Sequence, residues 1–445
     1  MILVMKRDIY EALKAWFVSE RRKPLILNGA RQVGKTYALK HFGQTCYKQV
    51  AYLNFEKDER LCSYFEGSLD PKELIKILTI HSKVEIEPYN TLLIFDEIQQ
   101  CPKALNSLKY FCEEANEYHI AAAGSLLGVK TAGGKGFPVG KVNFLYLYPL
   151  TFFEFLSAIQ EEKLRKFLEE LPLDQQIPSP LHEKLLQLLK FYLFIGGMPE
   201  AVAEYAKTEK LPLVREIQQE ILSAYEKDFS KHAPPHEVMK ISVVWAQIHR
   251  QLAKENKKFI FAAIRKSARG REYEEAIQWL SDAALIHKSY LVEAPKFPLS
   301  AYADHQSFKI YLLDVGLLGA QGNLSAQTII DGDLLFTEFK GSLTENFVVQ
   351  ELLASQARAP YYWTSSSTAE VDYLFESDHG IYPLEIKSGT SLKKKSLLVY
   401  KERFAPAKLF RASAMNLKLE ETLHNFPLYL VSQITKNRPY TNPDK

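Results

Sequence analysis

Apolar and polar positions follow three rhythms along this 445-residue chain. Near the start, short unbroken apolar runs recur at residues 25–27, 92–95 and 120–123, each set between polar segments. Runs of that length fit strands of a parallel sheet covered on both faces. From Thr151 to about Ala233 the apolar positions instead recur every three or four residues, as in "SPLHEKLLQLLKFYLF", which is the period of amphipathic helices. "IGGMPEAV" interrupts that pattern with paired glycines and Pro199, a sharp turn between helices. "HAPPHE" reads as a linker. After it the pattern predicts a helix, a short helix, a helix over 271–284 and a two-strand ribbon over 285–292. The last third opens with "FKIYLLDVGLLGA", an apolar strand or helix start, and continues with a helix in "GSLTENFVVQELLAS". In "EVDYLFESDHGIYPLEIKSG" two short strands flank a turn at residues 377–380.

A chain of this length holds two to four domains. With 47% hydrophobic and 24% charged residues it has an ordinary globular composition. The balance of 56 basic and 53 acidic residues neither favours nor excludes nucleic acid, so any basic surface must be local. Cys46, Cys62, Cys101 and Cys112 have no CxxC spacing, which argues against a disulfide scaffold or a zinc site and for a reducing cytoplasm. The apolar start before Lys6 is too short for a signal-peptide core. The apolar stretch 144–156 is short of a membrane span and carries Glu154. The expectation is a cytoplasmic protein with no membrane partner.

The first apolar run leads into Gly29, Ala30, Arg31, Gln32, Val33, Gly34, Lys35 and Thr36, followed by Tyr37 and a helical pattern. This is G-x-x-x-x-G-K-T in its required strand–loop–helix setting. The glycines let backbone N–H groups wrap phosphate oxygens. Lys35 neutralises the outer phosphates and Thr36 ligates Mg²⁺. The second run ends in Asp96-Glu97, and two carboxylates closing a buried strand call for a cation. Asp96 would hold Mg²⁺ through water, and Glu97 would polarise the water that attacks the γ-phosphate of ATP. The third run ends in Gly124-Ser125, where Ser125 either faces the γ-phosphate or simply closes a turn.

Further on, Lys257, Lys258, Arg265, Lys266, Arg269 and Arg271 gather before and at the start of the helix over 271–284. The order of helices and ribbon there resembles a winged helix, in which such residues contact DNA; a solvated basic face is the plain alternative.

The set "NGARQVGKT", "LLIFDEIQ", "AAGSLLG", "LYPLTFFEFL", "GGMPEAV", "WLSDAALI", "FKIYLLDVGLLG" and "EVDYLF…PLEIKSG" resembles, in this order, a large group of prokaryotic ATPases. These join an AAA-type domain to a C-terminal domain related to the PD-(D/E)xK nuclease fold. Many members carry Gly-Arg where this chain has Gly140-Lys141, which keeps the charge but loses the guanidinium fork. The resemblance implies that Glu345, Asp372, Glu385 and Lys387 form a cleavage site, with Asp372 and Glu385 binding Mg²⁺ or Mn²⁺ and Lys387 orienting the attacking water or stabilising the phosphorane-like charge. Twelve residues separate Asp372 from Glu385, enough for two antiparallel strands and their turn, and side chains two apart on a strand share a face. Glu345 has a competing role, since Ser342-x-x-Glu345 matches a helix capping box. Lys393, Lys394, Lys395, Lys401 and Arg403 suit either a phosphate backbone or a solvated helix.

The expected architecture is multidomain α/β. A P-loop, AAA-type ATPase domain spans 1–155, a helical domain 156–235, a winged helix 236–305, a PD-(D/E)xK-like α/β domain 306–432 and a tail 433–445. The expected activity is ATP hydrolysis in a homo-oligomer, coupled to a DNA-directed and possibly nucleolytic module. The alternative is an ATP-driven switch whose C-terminal domain is an inactive nuclease fold used for protein or DNA binding.

Overall fold

The computed structural model describes residues 5–124, 137–252, 259, 270–327, 340–356, 361–365, 369–377, 380–389 and 395–436. The described residues divide into two compact units. One is Lys6–Tyr148 with Asp282–Leu285; the other holds Pro149–Ser281 and Ile286 onward. The first unit thus runs to Tyr148, near the expected boundary at 155.

In the first unit, β1 (Leu25–Asn28), β2 (Gln49–Asn54), β3 (Thr91–Asp96), β4 (His119–Ala123) and β5 (Asn143–Tyr146) form an all-parallel sheet in the order β2-β3-β4-β1-β5. The three central strands are buried at every position, as strands covered on both faces must be. The edge strand β5 alternates between partly buried and exposed. Ile26, Leu53, Phe95, Leu105 and Phe111 belong to a single apolar cluster beside the sheet. This order brings the C-terminal ends of β1 and β3, which carry the candidate nucleotide residues, to one edge of the sheet with only β4 between them.

The second unit combines helices with a mixed eight-stranded sheet. Its first helix, Phe152–Ala158, is closed by a capping box: Thr151 accepts from the Glu154 N–H and Glu154 from that of Thr151. Helices Ser179–Ile195, Pro199–Thr208 and Leu211–His232 follow, as the three-to-four periodicity predicts. The sheet comprises β6 (Ile286–Val292), β7 (Ala303–Leu312), β8 (Tyr361–Thr364), β9 (Glu370–Ser377), β10 (Gly380–Ile386), β11 (Leu409–Ser413), β12 (Lys418–Leu419) and β13 (Leu423–Pro427). Their order is β12-β13-β11-β10-β9-β8-β6-β7.

That order corrects three expectations. The ribbon over 285–292 is a single strand, β6, which pairs antiparallel with β7 and parallel with β8. A boundary at 305/306 would cut β7, so the expected wing is the edge of the C-terminal sheet. The reason is edge chemistry: a strand flanked on both sides satisfies its backbone groups better than an isolated ribbon. Of the expected winged-helix helices, Val238–Leu252 and Gly270–Asp282 are present. The short helix between them, and with it Lys257, Lys258, Arg265, Lys266 and Arg269, lies outside the described residues. The expected tail opens with a short helix, Gln433–Lys436, in which Ile434 is buried.

"FKIYLLDVGLLGA" resolves into both of its readings: the end of β7, then the helix Val315–Gln321 with Asp314 as its N-cap. Asp314 is fully buried. Its carboxylate accepts from the Leu317 N–H (3.0 Å), the Gly197 N–H (2.6 Å) and Gln350 Nε2 (3.4 Å). Gly196 has φ 72°, and a Cβ there would stand 2.1 Å from Asp314 Oδ1, so the turn in "IGGMPEAV" needs a glycine. Asp314→Ala leaves two buried donors unbonded and is expected to cost about 2–4 kcal/mol in urea unfolding. Burial pushes the Asp314 carboxyl up to about 6, above its usual 3.8. Its stabilising contribution is thus full below about pH 4 and lost as pH rises through 6, so the variant's deficit should be larger at pH 5 than at pH 8. An equal deficit at both would contradict this.

Candidate functional site

The loop after β1 is shaped by backbone constraints. Gly29 has φ 155°, and a Cβ on it would lie 2.3 Å from the Leu147 carbonyl oxygen. Gly34, with φ 94°, begins the helix Lys35–Cys46. Arg7 braces the loop, donating to the carbonyls of Val33 (3.1 Å) and Tyr148 (2.6 Å). Lys35 is buried, and its ammonium donates to the carbonyls of Gly29 (3.0 Å) and Ala30 (2.7 Å). Burial pulls Lys35 down to about 8, against the raising effect of Glu97 and Asp96.

Thr36, on the first turn of that helix, donates its hydroxyl to both oxygens of Asp96 at 3.0 Å. Asp96 is buried at the end of β3 and also accepts from Tyr52 (2.7 Å) and Asn54 Nδ2 (3.2 Å). Burial and the bond to Asp96 push the Tyr52 hydroxyl up to about 12. Glu97 takes left-handed backbone angles (φ 51°, ψ 43°), which turn it out of the strand, and Gln99 Nε2 donates to its Oε2 at 2.5 Å. Lys35, Thr36, Asp96 and Glu97 thus meet at one edge of the sheet. A hydroxyl beside a buried carboxylate is a donor set that fits a hard divalent ion such as Mg²⁺. Asn28, directly before Gly29, is buried with neither side-chain atom hydrogen-bonded. Ser125 lies outside the described residues. Sequence reasoning passed over Arg7 and Tyr52; Tyr52 was findable as the residue two before Asn54, on the same face of β2.

In the second unit, four elements converge on a cluster of charge. Asn346 clamps the helix Lys340–Gln356 to β7 by bonding both the N–H and the carbonyl of Leu312 (2.8 and 3.0 Å). The neighbouring Glu345 is thereby set against β7, where it accepts from the Tyr311 hydroxyl (3.2 Å) and lies 3.9 Å from Lys309 Nζ. Lys309 is buried, forms an ion pair with Glu370 on β9, and stands 4.8 Å from the centre of the Tyr362 ring on β8. Burial works against its charge, but Tyr311, Glu345, Glu370 and Asp372 together hold it well above the usual lysine range.

β9 and β10 run antiparallel with Leu384 opposite Tyr373. Continued by one step, this register would set Glu385 across from Asp372 on a shared face. Asp372 Oδ2 accepts from the Ile386 N–H (2.7 Å). Glu385 is 2% exposed; its Oε1 pairs with Lys387 Nζ at 2.9 Å, and its Oε2 is buried with no hydrogen-bond partner. A buried carboxylate oxygen without a hydrogen-bond partner, with a second carboxylate bonded to the next residue's N–H, fits a divalent cation.

Two expectations change here. Glu345 does not close a three-carboxylate set with Asp372 and Glu385. Among the described residues, the only set of three His, Cys, Asp or Glu residues with all ligand atoms within 4.8 Å is His236, Glu237 and Glu275, where Glu237 is already paired with Lys240 at 2.5 Å. The capping box is also absent: Ser342 lies inside the helix and donates to the Leu252 carbonyl (2.7 Å). Lys395 opens the helix Lys395–Phe404, which carries Lys401 and Arg403; Lys393 and Lys394 lie outside the described residues. Lys141 is ion-paired with Glu113 at 2.9 Å.

Residues 21–156 match a family model described as an AAA domain. With the sheet order and the Lys35–Thr36–Asp96–Glu97 grouping, this defines the first unit as an AAA-type P-loop ATPase domain. Residues 186–328 and 340–431 match two families described as domains of unknown function (DUF8612 and DUF4143). No curated protein matches the chain. Among solved structures, a Walker-type ATPase of Pyrococcus abyssi is similar at 12% identity over 72% of this chain and 96% of its own, with a TM-score of 0.43. The Orc1 protein of Aeropyrum pernix in complex with DNA is similar at 14% identity over 73% and 94%, TM-score 0.30. The RuvB Holliday junction branch migration motor of Thermotoga maritima follows at 13% over 65% and 90%, TM-score 0.29. Overlaps at this level say nothing about what this chain binds. Among the described residues no helix is long and apolar enough to cross a membrane.

Proposed function

We propose that this chain is a Mg²⁺-dependent ATPase that works as an assembly of copies, and that its nucleotide state controls a DNA-directed C-terminal domain. The observation that carries the ATPase part is the convergence of Lys35, Thr36, Asp96 and Glu97 at one edge of the parallel sheet. Lys35 would exchange its two loop carbonyls for phosphate oxygens. Thr36 and Asp96 would hold Mg²⁺, which supplies charge neutralisation across the phosphates when bound. Glu97, turned away from the strand, would take the proton of the attacking water. The direct test is incubation of the full chain with plasmid, linear and branched DNA, with and without ATP and Mg²⁺ or Mn²⁺. DNA-independent ATPase activity, with no DNA retained or cut, would remove the DNA-directed part.

For the C-terminal domain, the orphaned Glu385 oxygen opposite Asp372 supports a divalent-ion site in a PD-(D/E)xK-like cleft. In a Lys35→Ala, Asp96→Asn background without nucleotide, Mn²⁺ at about 100 times its Kd should stabilise the protein by about 2.7 kcal/mol. Asp372→Asn should cancel most of that rise in Tm while leaving the metal-free Tm unchanged or higher, because it removes one of two facing carboxylates. Equal Mn²⁺ responses in parent and variant would rule this pair out as ligands. A second reading, a switch whose nuclease-like fold binds without cutting, is favoured by Glu345 being engaged with Lys309 and Tyr311.

A further inference from the structure

We propose that the Lys309 ammonium is a built-in cation of the C-terminal cleft, occupying the place a metal ion would need at Glu345 and Glu370 and limiting the cleft to one divalent ion, at Asp372 and Glu385. The inference rests on the reading of this cleft as a cation site and specifies its stoichiometry. Three carboxylates, from Glu345, Glu370 and Asp372, act on the Lys309 ammonium; Asp372 also bonds the Ile386 N–H, next to Glu385 and its partner Lys387, which makes four carboxylates and two ammonium groups in all. The ammonium groups are not equivalent. Lys387 is about one-third exposed on the rim, whereas Lys309 is 1% exposed. A lysine this deep costs several kcal/mol in lost hydration unless carboxylates meet it, and here they come from two separate elements. Glu370 pairs with it directly from β9, and Glu345 faces it from the helix Lys340–Gln356 at 3.9 Å. The Tyr362 ring, 4.8 Å from Nζ, borders the same position.

A divalent ion needs its oxygens at about 2.0–2.6 Å. An ion bridging Glu345 and Glu370 would have to stand where the ammonium is, and it would meet a fixed positive charge there. The Tyr311 hydroxyl already donates to Glu345 Oε2, the oxygen nearest Lys309. On the other side of the cleft the situation is reversed. Glu385 Oε2 has no partner, and two negative charges remain after both ammonium groups are counted. One divalent ion balances that remainder, and a second would not.

The experiment measures Mn²⁺ stoichiometry by calorimetry, and Tm with and without Mn²⁺, in the full-length Lys35→Ala, Asp96→Asn background. The parent should bind one ion per chain in this cleft. Lys309→Met should lower the metal-free Tm by more than about 5 °C, since it strands the Glu345 charge. It should also gain one further Mn²⁺ per chain, which restores the Tm. Lys309→Met with Glu345→Gln removes the ammonium and the buried carboxylate together and leaves Glu370, which is about one-third exposed and can be hydrated. It should fold at near-parental Tm and lose the extra ion, which keeps the test usable if the single variant does not fold. A parent that already binds two ions, one of them lost on Glu345→Gln, would overturn the inference. So would a double variant as unstable as Lys309→Met alone. The separate reading of Asp372 and Glu385 fails on a different result: a parental Mn²⁺ response unaffected by Asp372→Asn. In that case Lys309→Met should still add one ion to the parental count.

Discussion

Lys35→Ala should bind ATP at least about 100-fold more weakly than the parent chain. The ammonium now spends its hydrogen bonds on the carbonyls of Gly29 and Ala30, and its charge is held in a site where burial has pulled it down to about 8. Phosphate oxygens replace those neutral acceptors with anionic ones. Each charge-assisted bond is worth about 1.5–3 kcal/mol, and each 1.4 kcal/mol is tenfold in affinity. Alanine removes both bonds and leaves buried phosphate charge without its counter-charge. The same argument gives a pH signature. Below about pH 8 Lys35 carries its proton before nucleotide arrives. Above that value Lys35 is neutral in the free site, so binding takes up a proton and affinity should fall by about tenfold per pH unit. Calorimetry in buffers of different ionisation enthalpy reads this uptake. Unchanged affinity in Lys35→Ala, or no proton uptake at pH 9, would contradict the assignment.

Glu97→Gln should separate binding from turnover. Its backbone angles (φ 51°, ψ 43°) turn the residue out of β3, while Asp96 stays in the strand and bonds Thr36, Tyr52 and Asn54. The two adjacent carboxylates therefore have different work. Asp96 belongs to the Mg²⁺ side, and Glu97 is placed to accept a proton from water. An amide keeps the shape of the side chain but cannot take that proton, so turnover should fall about 10²–10⁴-fold. ATP affinity should stay within about threefold, because the Glu97 side chain bonds Gln99 and the amide keeps that bond. Hydrolysis at the parental rate would place the base elsewhere. A loss of affinity matching Lys35→Ala would show that Glu97 organises the loop instead.

The nucleotide site was largely legible in the sequence because its parts are contiguous. G-x-x-x-x-G-K-T dictates a loop conformation from glycines at fixed spacing, and the unbroken apolar run ending in Asp96-Glu97 identifies a buried strand with its acidic end. Local backbone constraints and strand burial are written within a dozen residues. Arg7 was not legible, since its partners Val33 and Tyr148 meet it only after the sheet has formed. The C-terminal cleft was half legible. The spacing of Asp372, Glu385 and Lys387 follows from strand geometry, and the register of β9 and β10 agrees with it.

By itself the sequence determined the strand and helix periods, the phosphate loop and the face shared by Glu385 and Lys387, all consequences of backbone periodicity over short spans. Tertiary structure alone decided that β6 joins the C-terminal sheet, because unpaired strand edges seek partners that no local pattern specifies. It also decided the company of Glu345. Asn346 locks its helix to β7, and that contact turns a residue expected in a cleavage site or as a helix cap toward Lys309 and Tyr311. Within "FKIYLL", Lys309 reads as the exposed polar position of a strand. It is buried because Glu345 and Glu370, far away in the chain, fold back to meet its charge, and a buried lysine is tolerated only where such partners arrive.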